Sequence, residues 1–384
     1  MKNINAGLVG YGFMGKAHSN AFRQVNHFFD ADAKINLTAI CGRNKSSVQD
    51  AMDKFGFCSY ETDYRNLIKR DDIDFIDVTA PSNAHMEIVM MATENKKHVF
   101  CEKPLGMNKQ EAKEMLDSAL KNKVKHQVGF NYRFAPAIRL AKKMIDEGKL
   151  GTIYHFRGLY LQDWIVDPSF PLVWRLDKKV CGSGANGDLN AHMIDLARYL
   201  VGEIDKVTGT SKTFIKSRPV VEHSTGLNAK SSHPDRFGEV TVDDTTLFLA
   251  HFSNGAVGSF EATRFATGRK NGMSFEINGS KGSIRFEFER MNELQYFCNE
   301  DDERLRGFRV IQVTDSFHEY AANWWPVGHV LGYEHTFVHE FFEFAQSITN
   351  DIPAIPDFHD GYMCNVILDC VDLSIKENTW INIG

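Results

Sequence analysis

Two rhythms of apolar and polar positions alternate along the first third of the chain. Short apolar runs recur at Ala6–Val9, Leu37–Cys41, Phe75–Val78, His98–Cys101 and His126–Gly129. A run such as Phe75–Val78 shows no polar face, which predicts a strand covered on both sides, as in a parallel sheet. Between these runs, Lys16–Phe29, Ser46–Phe55, Ala84–Asn95 and Lys109–Asn122 read as helices, with Ile88, Met91 and Ala92 on one stripe of the third. Ser46 is the expected N-cap of the second helix. Repeated β-α units of this length predict a doubly wound parallel sheet.

After about residue 150 the pattern changes. Ile153–Leu161 reads as a strand and Asp188–Leu200 as a helix. Long strand-like runs follow at Val207–Phe214, Thr245–Phe252, Ala256–Thr263, Met273–Asn278 and Ser283–Phe288. Turn signals such as Ser253-Asn254-Gly255 and Gly279-Ser280-Lys281-Gly282 separate them, which predicts an antiparallel sheet. Glu334–Thr349 and His359–Glu377 are expected to be closing helices. The polar stretch Arg218–Glu239 is expected to be a surface loop or arm.

Composition narrows the class. A chain of 384 residues, 43% hydrophobic and 24% charged, fits two globular domains. A net charge of -6 without a basic stripe argues against a nucleic-acid or anionic-membrane partner. No run approaches a membrane span and no signal peptide opens the chain, so a cytoplasmic protein is expected. The seven cysteines are irregularly spaced without a C-x-x-C pair, so neither a disulfide framework nor a zinc ribbon is suggested. No metal site is expected.

Gly10-Tyr11-Gly12-Phe13-Met14-Gly15 is a G-x-G-x-x-G motif between a predicted strand and a predicted helix, the context a dinucleotide loop needs. Gly10 would make the tight turn, Gly12 would admit a pyrophosphate and Gly15 would let helix and strand pack closely. A bare β-α turn is the alternative. The second strand ends in Cys41-Gly42-Arg43-Asn44-Lys45, without the carboxylate that selects NAD. Arg43 therefore favours NADP or use of both cofactors, unless it stacks on adenine or is solvated. Glu102-Lys103-Pro104 follows a parallel strand, where ligands bind in such sheets. Lys103 could stabilise a developing alkoxide there; a surface Glu-Lys pair explains the residues equally well. Asp188 and His192 share a helix face beside the stripe Leu189, Met193, Leu196 and Leu200. They form either a carboxylate-tuned proton shuttle or a helix-dipole acid beside an ordinary histidine.

The ordered set Gly10-x-Gly12-x-Met14-Gly15, Glu102-Lys103-Pro104, and Asp188-x-x-x-His192 followed by Asp195 resembles the Gfo/Idh/MocA (glucose–fructose oxidoreductase / inositol dehydrogenase) family over essentially the whole chain. Ala80–His85, Phe130–Phe134 and Val242-Asp243-Asp244 add to the likeness. The resemblance implies an α/β Rossmann domain, placed at 1–130. It also implies an α+β domain with a large open, mainly antiparallel sheet, placed at 131–384, with C-terminal helices able to pack back on the first. The implied activity is nicotinamide-dependent oxidation or reduction of sugars and polyols by a homodimer or homotetramer. Lys103, Asp188 and His192 fall on the catalytic positions. Phe13, Met14, Pro81, Asn83, His85, Glu102, Lys103 and Asn131 fall on positions that line the cofactor. Asn190, where glycine is frequent, is expected to touch substrate.

More narrowly, Tyr160–Trp164 and Trp174-Arg175 are similar to the levoglucosan dehydrogenase and glycoside 3-dehydrogenase branch. Gln162 and Arg175 would then bond ring hydroxyls, and Trp164 would stack on a pyranose or simply pack. The aromatic segment from Asn323 to His335 would wall a pocket or an oligomer interface. Two rivals remain: an NAD-dependent glycosidase that oxidises its sugar transiently, and a non-catalytic dinucleotide sensor.

Overall fold

The computed structural model describes residues 2–221 and 233–384 and divides the chain into two units, Met1–Phe134 with Gly332–Asn365, and Ala135–Leu331 with Val366–Gly384.

The first unit begins with β1 (Lys2–Val9), α1 (Phe13–Phe28), β2 (Ala33–Cys41), α2 (Lys45–Phe55), β3 (Ser59–Glu61), α3 (Tyr64–Ile68), β4 (Phe75–Val78), α4 (His85–Glu94), β5 (His98–Glu102), α5 (Lys109–Asn122) and β6 (His126–Gly129). All six strands are parallel in the order β3-β2-β1-β4-β5-β6. The order reverses between β1 and β4, and a ligand crevice forms beyond the strand ends at such a switch point. The N-cap of α2 is Asn44, whose side chain accepts from Ser47 N, so the expected serine cap is corrected by two residues. Asn44 is extended and reaches the first-turn N–H groups, whereas Ser46 is already helical.

The second unit holds α6 (Pro136–Asp146), β7 (Ile153–Leu161), α7 (Lys178–Cys181), α8 (Ala191–Leu200), β8 (Ile204–Lys212), β9 (Ser217–Val220), β10 (His233–Glu239), β11 (Thr245–Phe252), β12 (Val257–Thr263), β13 (Gly272–Gly279), β14 (Gly282–Glu287), β15 (Glu293–Cys298) and β16 (Arg309–Gln312). The chain ends with α9 (Tyr333–Thr349), α10 (Phe358–Glu377), within which the units divide, and β17 (Ile381–Asn382). Nine strands form one sheet, β16-β15-β14-β13-β7-β12-β11-β8-β17, antiparallel except for β7 against β12. The expected fold class is thus the observed one.

The expected loop at Arg218–Glu239 is corrected: β9 and β10 pair antiparallel, and its segment 222–232 lies outside the described residues. Arg218 is fully buried and donates to the carbonyls of Ile165, Asp167 and Phe170. A polar sequence here conceals a buried clamp, in which three carbonyls accept from the two terminal nitrogens of the guanidinium.

Each unit has an aromatic core. Phe337, Phe341 and Phe344 follow helical spacing on α9; Phe341 and Phe344 meet Phe22, Phe75 and Phe100 of the first unit, and Phe337 meets His18. In the second, Phe156, Phe260, Phe275 and Phe286 point inward from alternating positions. Met193, Leu196 and Leu200 of α8 are buried, and so are its polar His192, Asp195 and Arg198. Among the described residues no helix is long and apolar enough to cross a membrane, and no group of metal-ligating side chains is present.

Candidate active site

The glycine loop lies at the switch point. Gly10 has φ 108°, and a Cβ there would come within 2.8 Å of the Thr79 carbonyl oxygen at the end of β4. A Cβ on Gly15 would stand 2.3 Å from the Gly10 carbonyl oxygen. These two glycines are required by the chain itself. Gly12 is different: a Cβ there would meet nothing within 4 Å. It is the N-cap of α1 and offers no side-chain acceptor to the first-turn N–H groups. A glycine without an internal reason, at an open helix start, fits the close approach of a pyrophosphate.

The other residues of the dinucleotide reading divide in two. Phe13 is 56% exposed and stacks on Tyr333 at 6.3 Å. Met14 and Pro81 are half-buried, and Asn83 and Arg43 are exposed. The Tyr11 ring overlies Gly42, where a Cβ could not fit. By contrast, His85 and Asn131 are buried and held from within the unit. His85 has Nε2 2.9 Å from the Ala80 oxygen and Nδ1 3.1 Å from the Pro104 oxygen. It lies between the turn after β4 and the turn after β5, and burial holds its pKa below the ordinary value, so the neutral ring donates to one of the two carbonyls. Asn131 donates to Thr336 of α9 at 2.8 Å.

Lys103 is half-buried just beyond β5. Its N–H donates to Glu102 Oε2 at 3.1 Å. Glu102 Oε1 lies 3.2 Å from Nε2 of His18, whose Nδ1 is 2.9 Å from Asp77. Sequence reasoning passed over His18 and Asp77, although His18 stands only three residues beyond the glycine motif.

In the second unit, Asp188 sits in a single π turn, Asn186–Asn190, and His192 in the first turn of α8. Such turns interrupt a helix at a cost and occur often at functional sites. His192 is buried, with the Tyr160 ring at 5.9 Å. Two residues outside the expected set shape this turn. Asp243 accepts the N–H groups of Gly184 and Asn186, both at 2.8 Å, so it caps the helix start from a distant strand connection. Arg264, 1% exposed at the end of β12, donates to Asp188 Oδ2 at 2.8 Å and to the carbonyls of Gly184 and Arg175. The contact is a charge-assisted hydrogen bond that fixes the Asp188 carboxyl group. The Val242-Asp243-Asp244 segment drew notice in the sequence, but a lone arginine after a strand gives no local signal.

Gln162, Trp164 and Tyr160 join one hydrogen-bonded chain. Trp164 Nε1 donates to Gln162 Oε1 at 3.0 Å; Gln162 Nε2 and Tyr160 Oη both donate to Asn271 Oδ1. This fixes the amide orientation of Gln162. Trp164 is partly buried against Ile165, Val173 and Leu176, with the Arg264 guanidinium 5.4 Å from its ring centre. The Arg175 guanidinium lies over Trp174 at 4.3 Å. Asn190 is fully buried, and its amide nitrogen faces Asn186 Oδ1 and the Thr246 carbonyl of β11, both at 3.3 Å.

Residues 4–130 match the model of an oxidoreductase family with an NAD-binding Rossmann fold, and residues 138–285 match the GFO/IDH/MocA C-terminal domain. The chain is 42% identical to levoglucosan dehydrogenase of Pseudarthrobacter phenanthrenivorans, over 100% of this chain and 99% of that one. Among solved structures, an oxidoreductase domain protein from Kribbella flavida is 46% identical with TM-score 0.95, each chain covered in full. A levoglucosan dehydrogenase in complex with NADH and levoglucosan is 41% identical with TM-score 0.94, again with full coverage of both.

Proposed function

Because the chain belongs to the GFO/IDH/MocA oxidoreductase family, we propose that it is an NAD-dependent dehydrogenase that oxidises a secondary hydroxyl of a pyranose-type sugar, with levoglucosan or a glycoside of similar shape as substrate. Full-length likeness to a levoglucosan dehydrogenase supports the substrate class. The single observation that carries the chemistry is the π turn, where a carboxylate bonded to the buried Arg264 stands four residues before a buried histidine.

When bound, the dinucleotide would supply the hydride acceptor. Gly10, Gly12 and Gly15 would receive its pyrophosphate at the start of α1, with Phe13, Met14, Pro81, Asn83 and Glu102 lining it. His192 takes the hydroxyl proton as general base, and Asp188 orients it and stabilises the imidazolium. Lys103 holds the reacting oxygen as charge develops on it. Arg264 and Asp243 keep the turn that carries Asp188 in place. Gln162 and Arg175 bond the ring hydroxyls of the sugar, and Trp164 stacks on its face. In reduction the proton roles reverse. NAD is the cofactor the family supports; the exposed Arg43 and the missing acid after β2 would also accept the NADP phosphate, so we extend the proposal to dual use.

The enzyme would act in the cytoplasm as a homodimer or homotetramer. One face of the second unit's sheet supports this, with Leu247, Leu249 and Val257 in exposed, neighbouring positions on β11 and β12.

The test is absorbance of reduced nicotinamide with purified protein and NAD or NADP. The panel is levoglucosan, glycosides, monosaccharides and inositols. Reduction with levoglucosan or a pyranoside is expected. Silence across the panel with the dinucleotide bound would refute the reading, and aglycone release without reduced cofactor would replace it by a glycosidase.

A further inference from the structure

His18 is fully buried on α1. Its Nδ1 lies 2.9 Å and 3.1 Å from the two oxygens of Asp77, and its Nε2 lies 3.2 Å from Glu102 Oε1. Both ring nitrogens therefore face carboxylates. With Asp77 and Glu102 both ionised, either neutral tautomer would set a lone pair against an anion; only an imidazolium donates at both ends. The rest of its surroundings is aromatic, with the rings of Phe100, Phe337 and Phe341 centred within 5.5 Å. Among the described residues, Asp77 and Glu102 are the charged groups that face it.

A sheet core gains little from burying such an array, because desolvation offsets the attraction. The array leads to a particular place. Glu102 Oε1 receives His18 and Oε2 receives the Lys103 N–H. The same carboxyl overlies Gly129, where a Cβ would stand 2.8 Å from Oε1. Glu102 is thus held on three sides, and the Lys103 main chain is held with it.

We propose that His18 is a positioning residue for Lys103: carried on the helix that the glycine loop opens, it fixes the Glu102 carboxylate, and Glu102 fixes the Lys103 main chain. This rests on the reading of Lys103 as the group that holds the reacting oxygen. It extends the dinucleotide motif three residues into α1 and ties it to the turn after β5. Burial alone would strip the proton from His18, but the charges and hydrogen bonds of Asp77 and Glu102 outweigh it and raise the pKa to about 10. The cation therefore persists at neutral pH.

Residue-resolved amide hydrogen exchange of the full chain tests this without turnover. In His18→Gln, exchange of the Lys103 amide should rise about tenfold while amides of β4 and β6 stay within about twofold of wild type. An unchanged Lys103 amide, or an even rise across the sheet, overturns the proposal. If His18→Gln fails to fold because two buried carboxylates lose their cation, His18→Gln/Asp77→Asn removes one of those charges and is measured in its place. With an active wild type, His18→Gln should lower kcat at least about tenfold with little change in sugar KM. It should add little on a Glu102→Gln background. A kcat within about twofold of wild type overturns the proposal as well. A wild type that turns over no sugar refutes the dehydrogenase reading and leaves the exchange result to decide on His18.

Discussion

Replacing Arg264 by methionine removes a buried cation while keeping an unbranched apolar side chain. At the 2.8 Å separation of Arg264 and Asp188, two unit charges attract by about 6 kcal/mol at an effective dielectric constant of about 20. Desolvation of the guanidinium consumes most of that. Removing one partner of a buried pair nevertheless costs about 3–5 kcal/mol, because the other charge stays behind. The Asp188 side chain is 25% exposed, so the lower end, about 3 kcal/mol, applies. In a unit of this size that corresponds to a loss of about 6–12 °C in the melting temperature. The carbonyls of Gly184 and Arg175 lose their donor as well, so the turn that presents Asp188 loosens. Turnover should then fall, by at most the roughly 10²–10⁴ expected for loss of the general base His192 that Asp188 orients. Calorimetry and cofactor reduction measure the two effects separately, and Arg264→Lys should recover part of both. A methionine variant that melts within about 2 °C of wild type, with kcat unchanged, would refute the assignment of Arg264 as the support of Asp188.

Four further outcomes follow from the geometry. Gly12→Val should weaken dinucleotide binding, read by fluorescence titration of the reduced cofactor, with little loss of stability, since a Cβ at Gly12 meets no protein atom within 4 Å; Gly15→Ala, 2.3 Å from a carbonyl oxygen, should lower the melting temperature. Lys103→Met and His192→Ala should each reduce turnover by about 10²–10⁴ while dinucleotide affinity stays near wild type. Arg43→Ala should raise the Kd of NADP more than that of NAD, and equal losses would mean that Arg43 stacks on adenine. Asp372 is exposed as a residue, but desolvation of its carboxyl, which accepts from Asn186, and the charge of Asp243 raise its pKa to about 6. Its ionisation is therefore destabilising above that pH, so Asp372→Asn should melt higher than wild type at about pH 8, with the gain fading as pH falls through the window between 6 and 3.8.

Much of the first unit is legible in the sequence because its central strands are covered on both faces and read as plain apolar runs. The edge strand β3 and the short α3 escape, since Ser59–Glu61 is only half-buried and presents no run to see. α6 carried a readable signal that was missed, a proline at the first helical position before a buried stripe of Ala137, Ile138, Ala141 and Met144. β15 also alternates, with Leu294 and Tyr296 turned inward. The site divides along a different line. Glycine spacing is local, so Gly10, Gly12 and Gly15 can be read with their reasons. Partnerships across many positions cannot: Arg264 with Asp188 spans 76 residues, Asp243 with Gly184 spans 59, and His18 with Glu102 spans 84. The burial of Asn190 is hidden for a related reason, because one partner of its amide is the Thr246 carbonyl of β11, 56 residues away.

The most direct test of the central claim is isotope transfer from the sugar. Levoglucosan deuterated at its ring carbons is incubated with the protein and NAD, and the reduced cofactor is analysed by mass spectrometry. Direct hydride transfer predicts reduced cofactor heavier by one deuterium, with the matching ketone as product. Unlabelled reduced cofactor, or no reduced cofactor while NAD is bound, would contradict it.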